Sequence, residues 1–234
     1  MITDIHAHTH YSNCGRDNPE ELILEMIKKG VEVFGISDHN YGIGSRRKEY
    51  LKLLTSLSKK YKDKIQILKG IEINTMADFN NYREPPTNAF DYCLVEHLGL
   101  QNSVMNNDIV SFVKDYGCVV GIAHTDIFAF TEQTGQDAYK YIKSLADAGI
   151  FWELNVNYDS IHGYNEHQYV KNFFTNKEQQ QIVKDTGLYI SVGFDGHRME
   201  DYLVDRVKNA NEFIINEGFN HAVNYIMART NKKL

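Results

Sequence analysis

The chain reads as an alternating α/β protein built on parallel strands, and three observations lead to that reading. Seven apolar, β-branched runs are distributed along its 234 residues. Most of the gaps between them carry a helical pattern, as repeated βα units do. Every run also ends in an imidazole, a carboxylate or both, and parallel α/β architectures collect their functional groups at those ends. Seven such units are enough to close into a barrel.

The first run, Ile2 to Ala7, leads into His6-Ala7-His8. Residues two apart on a strand share a face, so two imidazoles would stand side by side. Asn18 then offers a helix cap with Pro19 at the first position, Leu22, Ile23, Met26 and Ile27 form an apolar stripe, and Gly30 suits the stop. The second run, Val31 to Ser37, ends in Ser37-Asp38-His39 and precedes a helical pattern at Arg46 to Lys62. The third, Ile65 to Ile73, contains Gly70-Ile71-Glu72; after it, the Pro85-Pro86 pair and scattered asparagines make Asn74 to Ala89 an irregular loop. The fourth, Phe90 to Glu96, ends in Glu96-His97 and is followed by a helix at Asp108 to Tyr116. Cys118 to Ala123 ends in His124-Thr125-Asp126, with a helix at Asp137 to Ala148. Ile150 to Val156 carries Glu153-Leu154-Asn155 and precedes a helix at Glu166 to Asp185. The seventh, Leu188 to Phe194, ends in Asp195-Gly196-His197 before a last helix at Glu200 to Asn216. With no repeat, low-complexity tract or linker, one domain is expected over 1–234.

Composition narrows the function. The net charge is -6 and no lysine- or arginine-rich block stands out, which disfavours a nucleic-acid partner. A small charged substrate stays open, because bound metal ions reverse the local sign of the potential. Cys14, Cys93 and Cys118 are odd in number and widely spaced, which points away from a disulfide framework or zinc ribbon and toward the cytosol. No apolar run reaches membrane-spanning length, and Met1 leads directly into the first strand-like segment, so neither a membrane nor a signal sequence is expected.

Imidazoles and carboxylates without paired thiolates suit zinc, manganese or iron, and there are more donors here than one tetrahedral ion uses. A multinuclear cluster is therefore expected, with Glu72 and Asp195 in bridging positions. Such a cluster lowers the pKa of a bound water and neutralises phosphate oxygens. Asp38 is expected to orient His39 or cap a turn. Glu153 and Asn155 share a strand face and are expected behind the ligands, with Asn155 also a candidate for substrate contact. Arg16 and Arg198 adjoin the histidine motifs and are candidates for gripping phosphate, against the ordinary surface role of arginine. His10, His162, His167 and His221 fall off the strand ends and read as ordinary histidines. Cys93 and Cys118 read as small core residues.

The segments DIHAHTHYS, GISDHN, GIEIN, VEHLG, GIAHTD and GFDGH resemble, in order and over essentially the whole chain, the polymerase and histidinol phosphatase (PHP) family. The resemblance implies a distorted seven-stranded (β/α) TIM-like barrel, a centre of three divalent ions and a phosphoesterase activity. It assigns His6, His8, His39, Glu72, His97, His124, Asp195 and His197 as metal ligands, with Asp195 and His197 completing the catalytic cluster. It also implies one more ligand from the loop after the first motif. Asp17 is the expected one, next to the helix cap with Gly15 allowing the turn. Cys14 is nearer the usual family spacing, but a lone soft donor among nitrogen and oxygen ligands would be unusual. The implied reaction is hydrolysis of a small phosphomonoester, histidinol phosphate among the candidates. An amidohydrolase-like barrel would carry an eighth strand with an acidic residue and would lack the Asp-x-His pair. A non-catalytic metal-stabilised module is the remaining alternative.

Overall fold

The computed structural model describes residues 1–79, 84–157 and 167–231. Its strands form two parallel sheets. One joins β1 (Thr3–Asp4), β2 (Val33–Ile36) and β3 (Gln66–Lys69) in that order; the other runs β4 (Glu72–Ile73), β5 (Tyr92–Val95), β6 (Val119–Ile122), β7 (Ile150–Asn155), β8 (Tyr189–Gly193) and β9 (Asn220–His221). The expected α/β class with parallel strands is thus observed, with the strands divided between two sheets.

The division falls inside the third apolar run, at Gly70-Ile71. A side chain at Gly70 would collide with the ring of Tyr92, so the chain steps from one sheet to the other where only glycine fits. Hydrogen bonds nevertheless cross this seam, from Glu72 N to Asp38 O at 3.1 Å and from Asp91 N to Lys69 O at 2.9 Å. At the other seam Ile5 N donates to Val192 O at 3.1 Å, Asp195 N to His6 O at 2.8 Å and His8 N to Gly196 O at 2.8 Å.

β1 is shorter than the apolar run that contains it because a side chain takes over from the ladder. The buried carboxylate of Asp4 accepts from His6 N at 3.1 Å, Phe194 N at 3.0 Å and the Tyr202 hydroxyl. The central strands are covered on both faces, and every residue of β7 is buried, as in a sheet flanked by helices. Trp152 packs against Phe173 and Tyr169 there, and its indole N–H donates to Thr125 O at 2.8 Å.

The helices follow the sequence where capping chemistry is explicit. α1 (Pro19–Lys28) starts at Asn18, whose side chain accepts from Glu20 N, and stops before Gly30 at φ 77°. α2 (Asn40–Ile43), unexpected from sequence, leads into α3 (Arg47–Tyr61). α4 (Ile109–Phe112) is shorter than expected, α5 (Ile127–Gln133) was not expected, and α6 (Ala138–Asp147) is close to its expected span. The pattern at Glu166 to Asp185 forms two helices, α7 (Gln168–Thr175) and α8 (Lys177–Thr186). Asn176 ends the first and caps the second by accepting from Glu178 N and Gln179 N. α9 (Val204–Asn216) precedes β9 and α10 (Ala222–Asn231), which sequence periodicity did not reveal. Residue 162, read as an ordinary histidine, and residues 80–83 of the irregular loop lie outside the described residues.

β9 pairs with the first residues of β8, the end away from Asp195, and carries no acidic residue. It delivers His221 into a buried polar knot: His221 Nε2 lies 3.0 Å from Asn211 Oδ1, and Val223 N donates to His221 Nδ1 at 3.3 Å. Asn211 Nδ2 in turn donates to Thr3 O at 2.8 Å. Both imidazole nitrogens are thus used in the neutral ring, and burial pushes its pKa down to about 4.

Protonation is therefore taken up by the unfolded chain first. Above pH 6.5 both states hold a neutral ring, and as the pH falls from 6.5 toward 4 stability declines by up to about 1.4 kcal/mol per pH unit. In chelator-treated protein, the loss of urea stability between pH 7 and pH 4.5 should be smaller for His221→Gln than for wild type. Equal losses would show that this ring is not the linked group.

Candidate metal centre

His6 and His8 do meet as their spacing predicts, with their Nε2 atoms 3.1 Å apart. The opposite nitrogens are engaged. His6 Nδ1 donates to Glu153 Oε1 at 2.7 Å, and His8 Nδ1 lies 3.1 Å from Ser12 Oγ. A ring whose Nδ1–H is donated carries its lone pair on Nε2, so two lone pairs face each other across 3.1 Å. Only a proton or a metal cation between them makes that arrangement favourable.

Glu72 is the hub of the surrounding cluster. Its Oε1 lies 3.3 Å from His6 Nε2 and 3.2 Å from His124 Nε2; its Oε2 lies 3.3 Å from His8 Nε2 and 2.9 Å from His39 Nδ1. Asp195 Oδ1 closes one side, 3.1 Å from His8 Nε2 and 3.6 Å from His6 Nε2. Donors at about 2.1 Å from a tetrahedral ion stand about 3.4 Å from one another, and these separations bracket that value. Three groups, His6–His8–Asp195, His8–His39–Glu72 and Glu72–Glu96–His124, each have the donor count and closeness to hold an ion.

Further support for a fit comes from buried polar atoms that make no hydrogen bond. Glu72 Oε2, Glu96 Oε1, His39 Nδ1 and His97 Nδ1 are all in this condition, although such groups are costly to bury unsatisfied. His39 Nδ1 and Glu72 Oε2 lie within reach of each other without hydrogen-bond geometry, as two donors aimed at a shared cation would. Backbone strain collects here as well. His97, His124 and Asp195 have φ of 69°, 24° and 56°, conformations that cost of order 1–3 kcal/mol each for such residues.

Electrostatics within the cluster are strongly coupled. Burial works against ionisation of Glu72, but His6 and His39 beside it hold the carboxyl well below the usual carboxylate range. Asp195 is held low against burial by His6 and His197. Burial and the Glu72 charge push Glu96 up to about 7. Burial and the neighbouring His39 take His8 down to about 4, whereas Glu72 outweighs burial at His124 and raises it to about 9.

Two acids hold the rings from behind. Glu153 accepts from His6 Nδ1 and, through Oε2, from His124 N at 2.7 Å. Its fit requires Gly193, since any Cβ there would overlap the Glu153 carboxylate. Asp38 accepts from Thr9 N, Thr9 Oγ1, Ser12 N and Ser12 Oγ, while Ser12 Oγ also accepts from His39 N at 2.8 Å. Asp38 therefore fixes the loop that positions His8 and His39.

Of the two candidates for the ligand after the first motif, the structure brings Cys14 into the cluster and leaves Asp17 outside it. Cys14, His8 and His197 can present donor atoms within 4.8 Å of one another. The Asp17 carboxylate instead accepts from Met199 N at 2.6 Å. Burial raises the Cys14 pKa, but His197 and His39 beside it more than compensate and take it to about 7.

A cavity of about 730 Å³ opens over the cluster, lined on one side by its imidazoles and acids and on the other by Leu98, Leu100, Ala129 and Phe130. His97 lines it and lies 3.3 Å from Glu96. Arg16 and Arg198 are not among the described residues lining it, nor is Asn155, which is fully buried beside Glu153. Sequence reasoning passed over Glu96 as a cluster member, although it directly precedes His97 at a strand end. It also missed His167, whose buried ring meets His124 edge-on at 5.8 Å, and Tyr41, stacked on His39 at 4.7 Å. Neither sits at a strand end, so no periodicity marked them.

A parallel α/β fold with a dense imidazole and carboxylate cluster past the strand ends defines a metallohydrolase-like architecture. A profile of the PHP domain matches residues 4–212, and the chain belongs to that family. It is 24% identical over 232 residues to a probable phosphatase of Thermoanaerobacter sp. (strain X514), covering 93% of this chain and 87% of that protein. A probable phosphatase of Thermoanaerobacter pseudethanolicus matches to the same extent. Among solved structures, the histidinol phosphate phosphatase of Lactococcus lactis, complexed with zinc, L-histidinol and phosphate, superposes with a TM-score of 0.66 at 17% identity, covering 94% of this chain and 95% of that one. A histidinol phosphatase homologue from Listeria monocytogenes superposes at 0.56 with 15% identity over 86% of this chain and 97% of that one.

If Glu153 sets the orientation of the His6 imidazole and anchors the His124 backbone, Glu153→Gln should weaken metal binding about 10–100-fold, measured by competition with a chromophoric chelator, with the far-ultraviolet circular dichroism unchanged. Unaltered affinity in a folded variant would remove that role.

Proposed function

We propose that the chain is a metal-dependent phosphatase acting on a small phosphomonoester. The observation that carries this reading is Glu72, within 3.3 Å of His6, His8, His39 and His124 at once. A carboxylate so placed bridges cations well. His6, His8, His39, Glu72, His97, His124, Asp195 and His197 would hold two or three divalent ions, zinc, manganese or iron. When bound, the ions would supply a water of lowered pKa and neutralise the charge of a phosphoryl group.

The protein's own groups do the positioning. Glu153 and Ser12 keep the Nε2 lone pairs of His6 and His8 directed inward. Asp195 and His197 close the cluster from the end of β8, which adjoins the β1 segment. The apolar wall at Leu98, Leu100 and Phe130 shields the organic part of the substrate from water, while Asn74, Thr125 and Gln133 offer it hydrogen bonds. Family membership, the phosphatase relatives and the histidinol-bound Lactococcus structure support a phosphate ester, with histidinol phosphate a leading candidate. We take the two sheets as arcs of one distorted seven-stranded barrel in a single domain. The bonds of Ile5, His8 and Asp195 across one seam and of Glu72 and Asp91 across the other support this reading.

Elemental analysis of gently purified protein should find two or three ions per chain; one or none at full occupancy would sink the multinuclear centre. Across a panel of phosphomonoesters with manganese, zinc or iron supplied, turnover should fall by orders of magnitude in His8→Ala and Asp195→Ala. A folded, metal-loaded Asp195→Ala variant with wild-type turnover would exclude Asp195 from the reaction.

A further inference from the structure

Most of the cluster consists of nitrogen and oxygen donors, but one corner differs. His39, His8 and His197 stand as a row of rings, with centroids 4.6 Å apart in each adjacent pair and interplanar angles of 28° and 24°. Cys14 lies at this row, within donor reach of His8 and His197. The loop that carries it is tied down on several sides. His10 N donates to Asp17 O at 3.0 Å, Arg16 N to His197 O at 3.2 Å and Met199 N to the Asp17 carboxylate at 2.6 Å. Gly15 presses so closely on the backbone of Thr9 that a Cβ would collide with it. The sulfur is therefore held in place by contacts on both sides of it in sequence, and Asp17 acts as a positioning residue for that loop. Alongside, Glu72 is 1% exposed and its Oε2 makes no hydrogen bond, although it stands beside His8 and His39. A buried oxygen in that condition is an independent sign that this corner receives a cation.

We propose that the Cys14 thiolate is a ligand in this centre, creating with His197 and the adjacent imidazoles one mixed nitrogen and sulfur position that favours a soft divalent ion such as zinc over manganese. The inference rests on the metal-centre reading above and adds to it a chemical difference between positions. Thiolate donors select zinc and related ions, whereas carboxylate and imidazole donors also accept manganese and iron. One position in the cluster thus differs in selectivity from its neighbours. Zinc binding there displaces the thiol proton and covers the sulfur against electrophiles.

Cobalt(II) substitution tests the assignment, since thiolate coordination produces a near-ultraviolet sulfur-to-cobalt charge-transfer band that nitrogen and oxygen ligands do not. Cobalt-loaded wild type should show the band. Cys14→Ser should lose it and about one equivalent of cobalt while keeping the visible ligand-field absorption of the remaining ions. Cys93→Ser and Cys118→Ser should retain it, as should Asp17→Asn, whose side-chain oxygen still accepts from Met199 N. Bound cobalt without the band in wild type, or a band surviving in Cys14→Ser, overturns the thiolate ligand and leaves the metal centre standing. Failure to bind cobalt at all overturns both. Wild-type protein gives a second measure: zinc should slow iodoacetamide alkylation of Cys14, mapped by peptide mass, about tenfold or more relative to chelator-treated protein. Equal rates with bound zinc overturn the proposal.

Discussion

A carboxylate that is 1% exposed must be compensated on every side, and Glu72 sets that demand for the whole carboxyl end of the strands. Removing a charge from water costs several kcal/mol unless partners replace the lost hydration. Here the partners are four rings delivered by separate parts of the chain: His6 and His8 after β1, His39 after β2 and His124 after β6. Displacing any of these segments would take a ring away from the buried Glu72 carboxylate. The strained backbone at His97, His124 and Asp195 is consistent with that priority, since local conformational cost is accepted where it aims a side chain at the cluster.

A second set of acids faces the backbone. Asp4, Asp38 and Glu153 are fully buried, yet most of their hydrogen bonds run to amide N–H groups, hydroxyls or a ring from behind. Asp4 holds together the start of β1 and the end of β8. Burial lifts it to about 6 even though Tyr202 and two amides donate to it. The division is chemical: Glu72, Glu96 and Asp195 turn toward imidazole nitrogens and the cavity, whereas Asp4, Asp38 and Glu153 convert loops into fixed mounts. This is why a cluster assembled largely from loop residues can keep defined donor geometry.

Much of this was legible in the sequence wherever the cause was local. Asn18 with Pro19 marks α1 because both act within one turn, and the alternation of His6 with His8 is a property of any strand. The strand-end residues converge because parallel strands share one carboxyl face. What stayed hidden depends on contacts distant in sequence. The need for glycine at position 70 is set by the Tyr92 ring, and the shortening of β1 by Asp4 reaching Phe194 and Tyr202. The choice between Asp17 and Cys14 turned on donor softness, an argument about preference. The structure sets Cys14 beside His8 and His197, whereas the Asp17 carboxylate accepts from the Met199 amide, brought in from beyond β8.

The cavity gives the electrostatic consequence. Its described lining includes Glu72, Glu96, Asp126 and Asp195 and contains neither lysine nor arginine. Two like charges about 6 Å apart repel by about 3 kcal/mol at an effective dielectric of about 20, so a phosphate dianion would meet a steep barrier against these acids alone. On the metal-centre reading, cations invert the sign of the site before substrate arrives. Anion affinity is then linked to cation occupancy, and linkage is reciprocal: whatever the ions contribute to holding phosphate, phosphate contributes equally to holding the ions. An arginine in the wall would have loosened that coupling. On that reading, recognition of the phosphate and retention of the metals would be a single thermodynamic property of the cluster around Glu72.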